Sequence, residues 1–82
     1  MTILEANFNM GIKSSAQLAT RDIYIDYDLE EVMFRWDFSK KQAYRKFYNE
    51  QEESLVPINN KLYNEVLLFG DEISKEQYEQ GK

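Results

Sequence analysis

The sequence predicts an α+β domain: a small antiparallel sheet of about three strands, followed by two C-terminal helices packed on one face. Two observations predict it. Apolar and polar residues alternate with period two through much of residues 3–38, and from Ser39 onward the apolar spacing becomes helical. No repeat, low-complexity tract or linker interrupts the 82 residues, so residues 1–82 are read as one domain.

In the first segment Leu4, Ala6, Phe8, Met10 and Ile12 share one parity, giving a half-buried strand over 3–12. A second strand, 22–28, sets Ile23, Ile25, Tyr27 and Leu29 on one face and Asp22, Tyr24, Asp26, Asp28 and Glu30 on the other. Residues 28–38 admit two readings. As a helix, Asp28 and Glu31 would form a capping box. As a strand over 32–38, Val32, Phe34, Trp36 and Phe38 would face one way, and the β-favouring run from Val32 to Phe38 favours this reading. Against it, Leu29-Glu30-Glu31 lacks the glycine or asparagine of a tight hairpin.

Ser39 with Gln42 marks a helix start. Tyr44, Phe47 and Tyr48 then line a buried face of a helix near 40–53, which Pro57 brings to an end. Asn59 or Asn60 caps a second helix near 60–69, with Leu62, Tyr63, Val66, Leu67 and Phe69 at helical spacing and Gly70 as its stop. Ser74 and Gln77 cap a last short turn. Trp36 and Phe69 are expected in the core.

Composition excludes several functions. There is no cysteine and no histidine, so disulfides and the usual zinc ligands are absent, along with the commonest nucleophile and acid–base residues. The chain reads as a binding protein rather than an enzyme, with no cofactor and no dedicated metal. Asp26, Asp28, Glu30 and Asp37 have spacing like an EF-hand loop, but Glu31 stands where that loop needs glycine. No signal-peptide-like start and no apolar run near 20 residues is present, so a soluble, cytoplasmic protein is expected.

Charge is unevenly placed. Residues 22–34 hold five acids and no base; residues 35–46 hold Arg35, Lys40, Lys41, Arg45 and Lys46 against Asp37; residues 47–82 hold eight acids against three lysines. In the expected 40–53 helix, lysines sit at the start and glutamates at the end, the reverse of what the helix dipole favours. These bases therefore pair across the fold or meet a partner. On an extended strand Asp22, Asp26, Asp28 and Glu30 would form a negative line with Tyr24 in its gap. That line either guards an edge strand against aggregation or docks on a basic surface. Its charges are several-fold sparser than those of duplex DNA, at one per about 1.7 Å, which argues against full DNA mimicry.

The expected partner is thus another protein with a basic, nucleic-acid-binding surface, contacted through Asp22, Tyr24, Asp26, Asp28 and Glu30. Arg35, Lys40, Lys41, Arg45 and Lys46 form a secondary basic patch. In composition the chain resembles the small inhibitors of phages and mobile elements, among them immunity, anti-restriction and anti-CRISPR proteins. An inhibitor or antitoxin-like module is the leading expectation. The alternatives are an assembly subunit acting through homo-oligomerisation and a nucleic-acid accessory protein using residues 35–46. No membrane association is expected.

Overall fold

The computed structural model describes Leu18 and residues 20–81; the strand expected over 3–12 lies outside the described residues. The period-two segment that follows forms β1 (Ile23–Tyr27) and β2 (Val32–Asp37), paired antiparallel with Tyr27 opposite Val32 and Ile23 opposite Trp36. Of the two readings of residues 28–38, the strand holds from Val32. Asp28–Glu30 is a short 3₁₀ turn closed by the Glu31 N–H on the Asp28 carbonyl at 3.0 Å. Glu31 takes a left-handed φ of 52°, so the corner is made without glycine.

The sheet is larger than expected. The 40–53 helix does not exist: this stretch holds β3 (Gln42–Phe47) and leads into β4 (Ser54–Val56). With β5 (Asp71–Ile73) they form, among the described residues, a five-stranded antiparallel sheet in the order β4-β3-β2-β1-β5. The physical reason lies at the corner after β2. Asp37 Oδ1 accepts from the Lys40 N–H at 3.0 Å and the Ser39 hydroxyl at 2.9 Å, folding Phe38–Lys41 into a turn. Lys41 then takes φ 56°, which sends the chain back along β2. Ser39 belongs to that turn and caps no helix. At the far end of β3, Asn49 turns the chain with φ 68°.

Two helices lie wholly within the described residues, α1 (Lys61–Phe69) and α2 (Lys75–Gln80). Asn60 caps α1, its Oδ1 accepting from the Tyr63 N–H at 2.9 Å. Ser74 and Gln77 form the expected reciprocal capping box on α2. Gly70 ends α1 in extended backbone (φ −78°, ψ 171°), not in a left-handed turn. It is needed for close approach, since a Cβ there would lie 2.6 Å from Ile25 Cγ2.

The helices cover opposite faces, where one face was expected. Ile23, Ile25, Tyr27, Val32, Phe34, Trp36, Ala43 and Val56 pack with Tyr63 and Val66 of α1 into the main core. The Phe34 and Tyr63 rings meet at 5.6 Å, and Trp36 Nε1 donates to the Leu18 carbonyl at 2.6 Å. The other face carries Tyr24, Asp26, Met33, Arg35, Tyr44 and Lys46, and α2 lays Tyr78 across it. Three core expectations fail. Leu29 leaves the strand with the 3₁₀ turn and is 77% exposed, Phe69, on the last turn of α1, is 55% exposed, and Phe47, at the end of β3, is exposed as well. Among the described residues, no helix is long and apolar enough to cross a membrane.

Candidate functional site

The face under α2 opens into a polar cleft of about 630 Å³. The sheet register builds its floor. Tyr24 on β1, Arg35 on β2 and Tyr44 on β3 are cross-strand neighbours, as are Asp26, Met33 and Lys46 in the next row. Arg35 Nε donates to Glu53 Oε1 at 3.0 Å while its Nη2 donates to Oε2, a two-pronged clasp. Its guanidinium lies 4.2 Å over the Tyr44 ring. Tyr78 donates its hydroxyl to the same Glu53 at 2.7 Å and leans its ring on Tyr24, centroids 5.4 Å apart.

These contacts set the ionisation of the cleft. Bonding to Arg35, supported by Tyr78, holds the Glu53 carboxyl below its ordinary value. The Arg35 guanidinium is raised by its bond to Glu53. Burial, then the Glu53 bond, pushes the Tyr78 phenol up, and burial followed by the charge of Asp22 raises Tyr24. Lys46 is buried, its ammonium donating to the Tyr78 carbonyl at 3.3 Å, so it ties the end of α2 to β3. The principal charged groups of the floor thus hold one another in place.

The residues expected to form one acidic line occupy three settings. Asp22 is exposed at the start of β1, where its Oδ1 accepts from the Phe38 N–H at 2.8 Å, and Tyr24 is half-buried in the cleft. Asp26 is buried: Tyr48 donates its hydroxyl to Asp26 at 2.6 Å and to Asp28 at 3.1 Å. Burial and these two bonds raise the Tyr48 phenol. Asp28 and Glu30 sit exposed on the 3₁₀ turn, at the opposite end of β1 from Asp22. The continuous line fails because an extended strand ends at Tyr27. Asp37, the last residue of the EF-hand-like spacing, lies at the far end of β2. Among the described residues, no group of three or more acids is placed to hold a metal ion.

The five bases do not form one patch, because the helix that would have gathered them is absent. Arg35 and Lys46 face the cleft, whereas Arg45 shares the main-core side with Phe34. Lys40 and Lys41 lie in the turn between β2 and β3, and Lys41 donates to the Phe38 carbonyl at 2.7 Å. Glu53 and Tyr78, central to the cleft, escaped sequence reasoning. Glu53 stands at the end of the expected 40–53 helix, where nothing marks it as a partner of Arg35. Tyr78 was within reach, since the Ser74–Gln77 capping box fixes the helix that carries it.

Comparison with known proteins gives three matches. The family model for the Tis1 immunity protein matches residues 10–82. The immune protein Tis1 of Pseudomonas aeruginosa (strain UCBPP-PA14) is 45% identical over 73 residues, 88% of this chain and 95% of its own length. A chain from the crystal structure of the complex between the Type VI effector Tas1 and its immunity protein matches with a TM-score of 0.82 and 45% identity. That match covers 87% of this chain and 95% of the other.

Proposed function

Because this chain belongs to the Tis1 immunity protein family, we propose that it neutralises a Type VI effector by binding it directly. The observation that carries this reading is the likeness, at 45% identity over nearly the whole of both chains, to a chain of the Tas1–immunity complex. The expectation of an immunity-like inhibitor therefore stands. The anti-restriction and anti-CRISPR readings, with their phage or mobile-element setting, fall away.

An immunity protein of this kind needs no chemistry. It must find its effector quickly and hold it. A net charge of −5 favours a basic partner surface, and complementary charge acts mainly on the rate of encounter. The contact surface runs from Asp22 and Tyr24 at the cleft to Asp28 and Glu30 at the turn. The five extended residues of β1 separate its ends, about 17 Å at ~3.4 Å each, which suits an interface of about 800 Å² per partner. Asp26 lies within this span but is buried, so its part is to hold Tyr48 and the turn.

The test is growth. Cells producing the cognate effector are expected to survive when this chain is co-produced. The triple variant Asp22→Asn, Asp28→Asn, Glu30→Gln is expected to associate about tenfold more slowly and with less salt dependence. Cells that die despite abundant folded wild-type protein would refute the reading.

A further inference from the structure

Leu29 sits mid-turn in Asp28–Glu30, 77% exposed, with Asp28 before it and Glu30 and Glu31 after it. Folding gains nothing from a leucine there; the turn needs only the backbone bond from Glu31 to Asp28. The tip is nevertheless held firmly. The Tyr48 N–H donates to the Glu31 carbonyl at 3.0 Å, and the Tyr48 hydroxyl bridges Asp26 and Asp28. Glu31 accepts a left-handed φ of 52° without being glycine or asparagine, a conformation retained only where neighbours enforce it. The result is a large exposed apolar side chain on a backbone held in place, with acidic residues on both sides of it in the chain.

A second exposed apolar group emerges at the same end of the sheet. Phe69 ends α1, and Gly70 joins it to Asp71, which pairs with Asp26 next to the turn. Asp71 is itself exposed and adds a further acid to this end.

We propose that Leu29 is the apolar anchor through which this chain docks on its effector, inserting into an apolar pocket whose rim carries lysine or arginine. This deepens the proposed function and rests on it. Charge decides between occupants: a second copy would bring Asp28, Glu30 and Glu31 against their own likeness, whereas a basic rim would be drawn to them. A turn whose backbone is already held loses little main-chain freedom on binding, which lowers the cost of anchoring through it.

The test uses purified wild-type chain, Leu29→Ala and Leu29→Met against the cognate effector, with association and dissociation measured separately. Leu29→Ala is expected to dissociate at least about tenfold faster, with an unchanged melting temperature and nearly unchanged association. Leu29→Met, of similar volume, is expected to retain most of the affinity. Glu30→Gln with Glu31→Gln is expected to slow association instead. Wild-type dissociation from Leu29→Ala would overturn the anchor while leaving the proposed function intact. If the wild-type chain formed no complex with the effector, both would fail. A homodimer in sedimentation that Leu29→Ala dissolves would assign the tip to a second copy and overturn the proposal.

Discussion

Replacing Gly70 with alanine tests how α1 is seated on β1. The φ and ψ of Gly70 suit any residue, so the substitution carries no backbone penalty and its whole effect is steric. The new methyl would lie 2.6 Å from Ile25 Cγ2, 2.8 Å from the Val66 carbonyl oxygen and 3.0 Å from that of Asp26. Comfortable carbon contacts are about 3.5–4.0 Å. Two of the three neighbours are backbone, and Ile25 is fully buried. Relief requires the end of α1 to lift from the sheet, against the 2.8 Å hydrogen bond from the Gly70 N–H to Val66. Overpacking typically costs about 1–3 kcal/mol, and rigid neighbours place this case near the upper end. At about 4–8 °C per kcal/mol for a domain of this size, the melting temperature is expected to fall by about 10–20 °C. Gly81→Ala is the control. Its φ of +80° penalises alanine by about 1–2 kcal/mol, but nothing lies closer than 3.9 Å to the added methyl. Thermal melts followed by circular dichroism compare the two. A Gly70→Ala melt within a few degrees of wild type, or above that of Gly81→Ala, would refute this steric account.

The other predictions concern the core and its titration. Trp36→Ala is expected to cost about 3–5 kcal/mol in urea unfolding, whereas Phe69→Ala, at an exposed site, is expected to stay within about 0.5 kcal/mol of wild type; equal midpoints for the two variants would contradict the core assignment. Tyr63 is buried with its hydroxyl unpartnered among the described residues, so Tyr63→Phe is expected to stabilise by about 1 kcal/mol, and a loss of stability would show that the hydroxyl is satisfied. Glu53, held down first by its bond to Arg35, and Asp37, held down first by the Lys40 N–H, stabilise the fold fully above their unfolded values near about 4. That stability is expected to disappear as pH falls through the lower folded values, and Arg35→Met is expected to flatten this acid limb in urea midpoints. Burial pushes the Tyr63 phenol up to about 12, so its contribution is complete below the unfolded value near about 10 and lost as pH rises from there; a midpoint unchanged across that interval would contradict it.

Where burial and local sequence agreed, the fold was legible. Strict alternation from Asp22 to Tyr27 and the β-rich Val32–Asp37 run marked the central hairpin, and Asn60 and Ser74 marked both described helix starts. Where the chain turns without a conventional turn residue, the sequence concealed it. Glu31 and Lys41 adopt positive φ with no glycine or asparagine to signal it. Tyr44, Phe47 and Tyr48 then imitated a helical stripe, although Ala43 and Lys46 are the buried residues of that strand. A contrary signal was present: lysines at the start and glutamates at the end oppose a helix dipole and fit a strand–turn–strand without conflict. The three-residue strands β4 and β5 were too short for periodicity to register. Among the site residues, Tyr24 was legible as the aromatic on the polar face of β1. Asp26 was not, because its burial depends on Tyr48 arriving from the end of a strand read as helix.

The central claim is direct binding to a Type VI effector, and titration calorimetry of the purified chain into its purified cognate effector tests it most directly. The account predicts saturation at equimolar ratio, an affinity that weakens as salt is raised, and a further loss with Leu29→Ala. No heat and no co-elution at micromolar concentrations of both folded proteins would contradict it.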